Sequence, residues 1–339
     1  MITIGIVGLG YWGPNYARAF DSLSESEVRY CCDTNNEVLQ NMKISNRFIK
    51  ITSNYQDMLS DPEVHAVVIA TPASTHYQIA KECLERGKDT LVEKPFTLSS
   101  KEAEELVALA RKKERVLMVA HTFEYNPAVH KLRGYISNGD LGDIYYLHFS
   151  RTGLGPIRKD TNAMWDLAPH DISMLLYLTG EMPLDVSARG RSYLQKGIED
   201  VVFLTPTIPN NILASIHVSW LDPYKLRKLT VVGSEKMAVF DDVDKTETLR
   251  ILDKGVQRFG ERSYADYGEF QLSVRDGNIL IPKIEMTEPL KNQCLHFLEC
   301  IEERKEPLTN GEEGLKVVKI LEAAQESLGN NGKVVAVES

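Results

Sequence analysis

Three glycines near the start of the chain have a spacing that can bind a diphosphate group. Gly8, Gly10 and Gly13 follow a short apolar run and precede a helix-like stretch. In such a turn the first glycine permits a sharp bend, the second lets the main chain approach a pyrophosphate, and the third lets the helix pack on the strand. The helix N-terminus adds amide donors and a partial positive charge. We therefore predict a dinucleotide-binding turn, with Tyr11 and Trp12 also beside the ligand.

An acidic residue at the end of the second apolar run indicates which dinucleotide is bound. Asp33 lies 20 residues after Gly13, where a carboxylate can accept hydrogen bonds from the adenosine ribose hydroxyls. A 2′-phosphate would be repelled by this carboxylate, and Thr34, Asn35 and Asn36 provide no arginine to neutralise it. We therefore expect NAD rather than NADP. The structural alternative is a glycine-rich turn that binds nothing, with Asp33 as a helix cap.

Lys94 is the candidate for direct chemistry in the first half of the chain. The sequence Glu93-Lys94-Pro95 follows a buried-strand pattern, and a residue before proline is held extended. We expect the Lys94 side chain to enter the ligand crevice, where its ammonium group can donate to a substrate hydroxyl or carbonyl oxygen. The alternative is a surface lysine paired with Glu93.

A second constellation pairs a carboxylate with an imidazole. Asp166 and His170 belong to the segment WDLAPHD, which leads into an apolar helix-like stretch that ends at Gly180. We expect Pro169 at the first helical position, with the positive helix end keeping His170 neutral. His170 could then accept a hydroxyl proton as hydride leaves the neighbouring carbon, while Asp166 orients the substrate. The alternatives are a helix cap beside a buried histidine, and a metal site that lacks a third ligand.

Further candidates follow from the rule that ligands bind outside the carboxyl ends of parallel strands. Residues at or just beyond predicted strand ends are expected to contact the cofactor: Thr71, Pro72, His76, Glu93, Lys94 and His121. His76 begins a helix, so capping is an equal alternative for it. His121 could also be a packed side chain.

Basic residues around a glycine-bearing loop could bind a diphosphate. Arg151, Arg158 and Lys159 flank the segment Gly153-Leu154-Gly155. Arginine suits this role because its guanidinium can donate two hydrogen bonds to one phosphate. The alternative is a solvated, charged loop.

The periodicity divides the chain into two domains. Residues 1–121 alternate apolar runs with helix-like segments, which is typical of a doubly wound α/β fold with a parallel sheet. Residues 122–339 contain longer alternating strands and two closing helices, which predicts an α+β domain with a large, open, mainly antiparallel sheet. We expect the first domain to bind the dinucleotide and the second to bind substrate and support oligomerisation, with the last helix packing back on the first domain.

Composition limits the class of partner. The 339 residues are 26% charged and 43% hydrophobic, with a formal net charge of −9, which disfavours nucleic acid and anionic membrane surfaces. No run of eighteen apolar residues and no charged leader are present, so we expect a cytoplasmic protein. The five cysteines lack paired metal spacing, and we expect reduced, packed thiols.

The assembled motifs resemble the Gfo/Idh/MocA family of NAD(P)-dependent sugar and polyol oxidoreductases. The matching elements are GLGYWG, Asp33, TPASTHYQIA, EKP and the Asp166-x-x-x-His170 pair. This resemblance implies a Rossmann domain, an open-sheet domain that forms oligomer contacts, and hydride transfer without a metal. It also implies that Lys94 is the catalytic lysine and that Asp166 and His170 orient the substrate and accept its proton.

Departures from the family pattern bear on the substrate. Asn162-Ala163-Met164-Trp165 replaces a glycine run found in many members, and the stretch His121 to Pro127 lacks the arginine that many members have shortly before this proline. The segments YWGPN, HTFEYNPAVHKL and WDLAPHD are similar to the branch of nucleotide-sugar 3-dehydrogenases that act on UDP-N-acetylglucosamine or its uronic acid. With that branch, we expect Tyr125 and Asn126 to contact substrate and Trp165 to contact the cofactor.

Two other functions stay open. One is a free-sugar or inositol dehydrogenase of the same family. The other is a non-catalytic NAD-binding regulatory protein, because a cofactor fold does not by itself imply catalysis. In each case the exposed sheet face predicts self-association as a homodimer or homotetramer.

Overall fold

The computed structural model describes residues 1–257 and 273–338. The chain forms two compact units: residues 1–126 with 287–322, and residues 127–286 with 323–338. Residues 287–322, which were predicted from the sequence to be part of the second domain, belong to the first unit. The reason is packing, since Cys294, Phe297 and Ile301 are buried in the same hydrophobic core as Ile4 and Phe20. Among the described residues, no helix combines the length and apolar character needed to cross a membrane.

The first unit is a doubly wound α/β structure, as predicted. Its strands and helices are β1 (Ile2–Val7), α1 (Gly13–Asp21), β2 (Ser26–Cys32), α2 (Asn36–Ser45), β3 (Lys50–Thr52), α3 (Tyr55–Ser60), β4 (Ala66–Ile69), α4 (His76–Glu85), β5 (Asp89–Val92), α5 (Ser100–Lys113) and β6 (Leu117–Val119). The sheet order is β3-β2-β1-β4-β5-β6, and all pairs are parallel. The sequence analysis missed β3 and α3 because a strand of three residues produces no apolar periodicity.

The parallel arrangement puts the carboxyl ends of all six strands at the same edge of this sheet. Gly8 follows β1, Asp33 follows β2, Thr71 lies just beyond β4, Lys94 lies just beyond β5, and His121 lies just beyond β6. These positions are the ones that the sequence analysis selected. Because carboxyl ends of parallel strands form the usual ligand edge of such sheets, this edge is the candidate cofactor site of the first unit.

The second unit is built on a large sheet. Its elements are α6 (Pro127–Ser137), β7 (Ile144–Thr152), α7 (Ala163–Thr179), β8 (Asp185–Arg191), β9 (Val201–Ile208), β10 (Ile212–Ser219), β11 (Leu226–Gly233), β12 (Met237–Asp241), β13 (Leu249–Gln257), β14 (Ser273–Leu280) and β15 (Val335–Ala336). Helix α8 (Pro289–Glu303) belongs to the first unit, and α9 (Gly311–Gly329) has residues in both units. The strand order is β14-β13-β12-β11-β7-β10-β9-β8-β15. The pairing is antiparallel, as predicted, except between β7 and β10. Helix α6 was not predicted.

The two faces of this sheet differ in burial. Leu147, Phe149 and Ile216 lie on one face and are fully buried, and α7 contacts β7, β9 and β10. The opposite face, here called the open face, carries Tyr146 and Phe203, which are 43% and 52% exposed. Side chains alternate between faces along a strand, so this contrast is the period-two pattern expected of a sheet with one covered face.

Two tight turns connect neighbouring antiparallel strands of this sheet. Asn210 and Asn211 join β9 to β10, and both have φ of 62°. Asparagine tolerates this left-handed conformation, which matches the twist of a two-residue hairpin. Gly233 ends β11 and its amide donates to the Lys236 carbonyl at 3.0 Å before β12 begins.

Candidate functional site

Two glycines of the first turn are required by the turn itself. Gly8 has φ of +91°, and a Cβ at this position would lie 2.6 Å from the main chain of Ala70. A Cβ on Gly13 would lie 2.0 Å from the Gly8 carbonyl oxygen. Any larger residue would therefore collide with the main chain at either position.

Gly10 has no such internal reason. A Cβ at Gly10 would meet no protein atom within 4 Å, and the residue is exposed. The neighbouring Tyr11 is 81% exposed, and α1 begins at Gly13 with a proline in its first turn. An open glycine before a helix N-terminus is what close approach by a pyrophosphate requires. The turn therefore fits a dinucleotide.

Asp33 is fixed by the same turn. Its Oδ2 accepts a hydrogen bond from the Leu9 amide at 2.6 Å, and its Oδ1 accepts from the Asn35 amide at 2.8 Å. The carboxylate is thus held against the glycine turn by two main-chain donors. Each oxygen keeps a further lone pair, so the group can still accept hydrogen bonds from ribose hydroxyls. Asn35 itself caps α2 by accepting from the Glu37 amide, so Asp33 is not that helix's cap.

Lys94 lies just beyond β5, and its side chain has access to solvent. It is partly exposed, whereas every other residue of 91–97 is buried. The peptide bond between Lys94 and Pro95 is cis. His76 contacts both the loop that carries Lys94 and the loop after β4. Its Nδ1 lies 2.9 Å from the Pro95 carbonyl oxygen, and its Nε2 lies 2.9 Å from the Thr71 carbonyl oxygen. The loop bearing Lys94 is therefore tied to the loop after β4.

His121 is a buried neutral imidazole near Lys94. It is 1% exposed, and neither ring nitrogen has a hydrogen-bond partner among the described residues. Burial, together with the positive charge of Lys94, lowers the pKa of His121 to about 3. His121 therefore stays uncharged throughout the physiological pH range and cannot act as a base of near-neutral pKa.

Helix α7 begins earlier than the sequence analysis predicted. Asn162 caps it by accepting a hydrogen bond from the Trp165 amide at 3.1 Å, and Pro169 lies inside the helix. His170 is consequently the eighth helical residue rather than a first-turn residue. Because the helix dipole acts mainly within the first turn, our expectation that it keeps His170 neutral was wrong. Pro169 also leaves the Trp165 carbonyl without its helical donor.

Because α7 begins at Ala163, Asp166 and His170 both lie within the helix and on one of its faces. They are four residues apart on α7, so their side chains project from the same side. Both are partly exposed, while most of α7 is buried. Trp220 Nε1 donates to Asp166 Oδ2 at 3.1 Å, and Arg158 Nη1 lies 3.5 Å from Asp166 Oδ1. The pair predicted from sequence is thus a neighbouring carboxylate and imidazole, with the carboxylate held by an indole and a guanidinium.

Arg151 and Arg158 have different surroundings. Arg151 is 2% exposed, and its guanidinium makes bidentate hydrogen bonds of 2.8 to 3.0 Å to Asp171. This corrects the prediction that Arg151 binds a substrate diphosphate, since its donors serve a buried carboxylate. Arg158 is 38% exposed and pairs with Asp160 and Asp166, so it still has surface to offer an anion.

Several other predicted ligand contacts are internal to the protein. A side chain with almost no accessible surface has little to offer a ligand, and this describes His76, Glu93, Tyr125, Asn126 and Trp165. The Tyr125 hydroxyl lies 3.2 Å from Thr309 Oγ1, and Trp165 Nε1 donates to Gln325 at 3.1 Å. Asn126 is 1% exposed. We correct the predicted direct contacts for these residues and assign them supporting roles.

Sequence reasoning missed the residues that hold the predicted ones. Tyr16 Oη donates to Glu93 at 2.8 Å, and Trp220 donates to Asp166. These partners lie 77 and 54 residues apart in the chain, so no local spacing pattern could connect them. Asp171 was adjacent to His170 in a quoted motif, but its partner Arg151 becomes apparent only when β7 and α7 are packed.

Comparison with known families identifies the chain. One model, described as an oxidoreductase family with an NAD-binding Rossmann fold, matches residues 2–121, and a GFO/IDH/MocA C-terminal domain model matches residues 129–239. The chain belongs to the Gfo/Idh/MocA family. The predicted family, the Rossmann fold and the cofactor NAD are thereby confirmed for this oxidoreductase.

Similar proteins extend over the full length of this Gfo/Idh/MocA protein. It is 26% identical to the uncharacterised oxidoreductase YrbE of Bacillus subtilis, over 99% of this chain and 97% of YrbE. It is 28% identical to UDP-N-acetylglucosamine 3-dehydrogenase of Acidithiobacillus ferrooxidans, over 71% of this chain and 74% of that enzyme.

Solved structures share the fold. The A. ferrooxidans enzyme, GnnA, has a TM-score of 0.82 at 24% identity, with 97% of this chain and 98% of GnnA covered. A levoglucosan dehydrogenase in complex with NADH and levoglucosan has a TM-score of 0.83 at 22% identity, with both chains fully covered. At these identities the two likenesses establish the architecture and leave the substrate open.

The glycine geometry predicts separable effects on binding and stability. Gly10→Val should weaken NAD binding by at least about tenfold with little change in unfolding temperature, because its side chain enters open space that the pyrophosphate needs. Gly13→Ala should lower the unfolding temperature, because its Cβ meets the Gly8 carbonyl. Calorimetric titration with NAD and thermal unfolding measure the two effects. Unchanged NAD affinity in Gly10→Val would show that this turn does not contact the cofactor.

Proposed function

We propose that this protein is an NAD-dependent dehydrogenase that oxidises a ring hydroxyl, at C3, of a nucleotide-linked sugar such as UDP-N-acetylglucosamine or its uronic acid. The product is a 3-keto sugar. The single observation that carries the proposal is the Asp166 and His170 pair on the partly exposed face of α7, in a protein whose first unit has a glycine turn open to NAD. A carboxylate and an imidazole in that arrangement suit removal of a hydroxyl proton.

Each candidate catalytic residue has a separate role in the proposed reaction. Bound NAD supplies the hydride acceptor. His170 accepts the hydroxyl proton, and Asp166 orients the reacting hydroxyl. Lys94 donates a hydrogen bond to the same oxygen and stabilises the negative charge that develops as the proton leaves. Trp220 and Arg158 hold the Asp166 carboxylate through their contacts of 3.1 and 3.5 Å.

A nucleotide-linked substrate is favoured by three observations. Arg158 is a partly exposed guanidinium 3.5 Å from Asp166. Its Nε and Nη2 donate to the exposed Asp160 carboxylate, and an anionic group beside the reacting sugar would replace Asp160 as the partner of these two donors. The relative from A. ferrooxidans is named as acting on UDP-N-acetylglucosamine. The chain also carries the segments HTFEYNPAVHKL and WDLAPHD that led to this branch in the sequence analysis.

The alternatives have weaker support. A free-sugar dehydrogenase is consistent with the structural likeness to levoglucosan dehydrogenase, but it leaves Arg158 without a function toward substrate. A non-catalytic NAD-binding regulator would have no need for an ammonium, a carboxylate and an imidazole at Lys94, Asp166 and His170. Both alternatives make distinct predictions for turnover.

Substrate choice can be tested with a matched panel. NADH formation should be at least about tenfold faster, as kcat/KM, with UDP-N-acetylglucosamine or its uronic acid than with N-acetylglucosamine, levoglucosan or myo-inositol, because a diphosphate gains charge-assisted hydrogen bonds to Arg158. Absorbance at the NADH band measures the rate. Arg158→Ala should reduce the preference for the nucleotide sugar, and Arg191→Ala, which removes an exposed arginine of the same unit, is the control. Equal or better turnover of free sugars would support the free-sugar alternative, and no turnover despite NAD binding would support the regulator.

The assigned catalytic roles can be tested separately from binding. His170→Ala and Lys94→Met should each lower kcat by about 10²- to 10⁴-fold, the usual range for a lost proton-transfer or charge-stabilising group, while NAD binding persists. Stopped-flow NADH formation and NAD titration give the two values. The controls are His130→Ala in the second unit and Lys101→Met in the first, which replace exposed side chains of the same types. Wild-type turnover in His170→Ala would reject its role.

We also propose that the open face of the large sheet associates with a second copy of the chain. Phe203 stacks on His217 with ring centroids 4.2 Å apart, and Leu213, on the same face, is 50% exposed. Register places Leu213 opposite Tyr146. A contiguous apolar patch of this kind on a sheet face is usually covered by a partner, and identical chains associate through self-complementary faces.

Light scattering after gel filtration tests this association. The protein should elute at two or four times the 38.2 kDa chain mass, and Phe203→Glu should shift it toward 38.2 kDa, because a buried, unpaired carboxylate is costly at an interface. Phe48→Glu is the matched control, since Phe48 is 96% exposed and lies in the first unit. A wild-type monomer would contradict the proposal.

A further inference from the structure

A buried chain of hydrogen bonds ends on the residue before Lys94. Thr122 Oγ1 donates to Gln293 Oε1 at 2.6 Å, and Gln293 Nε2 donates to Tyr16 Oη at 3.3 Å. Tyr16 Oη donates to Glu93 Oε1 at 2.8 Å. The Lys94 amide donates to the other carboxylate oxygen, Oε2, at 3.1 Å. Every bond in this chain points toward Glu93.

The four segments that form the chain are distant in sequence. Tyr16 lies on α1 directly after the glycine turn, Gln293 lies on α8, and Thr122 lies just after β6. Tyr16 and Gln293 are fully buried, and Glu93 is 6% exposed. A buried carboxylate without donors is strongly unfavourable, so the orientation of Gln293 and Tyr16 is dictated by the need to donate to Glu93.

Burial and the neighbouring groups have opposite effects on the charge of Glu93. Burial is the larger effect and holds the pKa of Glu93 above its ordinary value, whereas the positive charge of Lys94, the Tyr16 hydroxyl and the Lys94 amide lower it. Burial and the Glu93 charge raise the pKa of Tyr16, so the phenol keeps its proton and remains a donor. Tyr16 is therefore a main support for a negative charge beside Lys94.

We propose that Tyr16 and Gln293 are positioning residues that act through Glu93 to fix the main chain and the charge environment of Lys94. The inference rests on the proposed role of Lys94. Neither residue touches the reacting atoms. Tyr16 maintains the carboxylate, Gln293 maintains the direction of the Tyr16 hydroxyl, and the carboxylate holds the Lys94 amide at 3.1 Å.

The neighbouring titratable groups make the effect measurable by pH. Cys294 faces Tyr16, and burial raises the pKa of its thiol well above the ordinary value, so it stays neutral. His121 faces Lys94 and has a pKa of about 3, so it stays neutral as well. Glu93 is therefore the member of this cluster whose charge can change when a donor is removed.

The sign of the change follows from the lost hydrogen bond. Tyr16→Phe removes a donor to the ionised carboxylate, so the pKa of Glu93 rises and the group is protonated at a higher pH. Protonation removes the negative charge beside Lys94 and weakens the hold on its amide. The acid limb of the kcat profile should thus move upward by about one pH unit, since hydrogen bonds to charged groups are worth that much or more.

The experiment compares Tyr16→Phe, Gln293→Met and Glu93→Gln with the control Tyr55→Phe. Tyr55 Oη also donates to a carboxylate, Glu82, at 2.9 Å in the first unit, so its loss removes the same chemical group elsewhere. The readouts are the pH profiles of kcat and KM, NAD affinity, and the infrared band of a protonated carboxyl group in the NAD-bound protein. We expect the upward shift in Tyr16→Phe, a smaller shift in Gln293→Met, and none in Tyr55→Phe.

The infrared band separates this inference from the proposed function. At a pH below the shifted limb, Tyr16→Phe should show a protonated carboxyl band that is missing from the Tyr16→Phe/Glu93→Gln double variant, whatever the substrate is. Absence of that band, or an unchanged kcat profile in Tyr16→Phe, would overturn the inference. If the band is present but Lys94→Met has the kcat of the wild type, the proposed role of Lys94 is rejected instead.

Discussion

The shared edge of the parallel sheet is the constraint on which the first unit depends. Parallel strands must all end on the same side, and the connections that leave them carry the residues with chemical potential. The glycine turn, Asp33 and Lys94 are therefore neighbours in the fold although 86 residues separate Gly8 from Lys94 (94 − 8). The turn needs Gly8 and Gly13 for its own geometry and leaves Gly10 open, so the same backbone path creates both the bend and the space for a pyrophosphate.

A buried carboxylate lies next to Lys94 in the first unit, and another lies next to His170 in the second. Glu93 precedes Lys94, and its oxygens accept from Tyr16 and from the Lys94 amide. Asp171 follows His170, and Arg151 satisfies it with a bidentate pair. Breaking such a buried pair leaves an uncompensated charge, which is strongly destabilising. Each candidate catalytic side chain is thus adjacent to a group that cannot move without large cost.

Pairing across the chain also explains why some predicted ligand residues are structural. An arginine, a tyrosine and a histidine next to a motif have the right chemistry for substrate or cofactor, but Arg151, Tyr125 and His76 direct their polar atoms to protein partners. Buried polar groups must be hydrogen-bonded, and for these three side chains other protein groups already supply the partners. The residues that keep accessible surface, Lys94 and Asp166 among them, are those left for ligand chemistry.

The sequence alone determined the alternating pattern of the first unit, the glycine turn, Asp33 and the period-two strands, because these depend on local backbone preferences and short repeats. It could not determine that α8 joins the first core, since burial of Phe297 depends on Phe20, which is 277 residues away (297 − 20). It also misplaced the start of α7, because a proline in a helix-like segment usually indicates a first turn, whereas the Asn162 cap and the packing of α7 on the sheet retain Pro169 inside the helix. The tertiary structure decided which charged side chains are enclosed and paired and which stay accessible, because desolvation is a property of the packed chain and not of any segment.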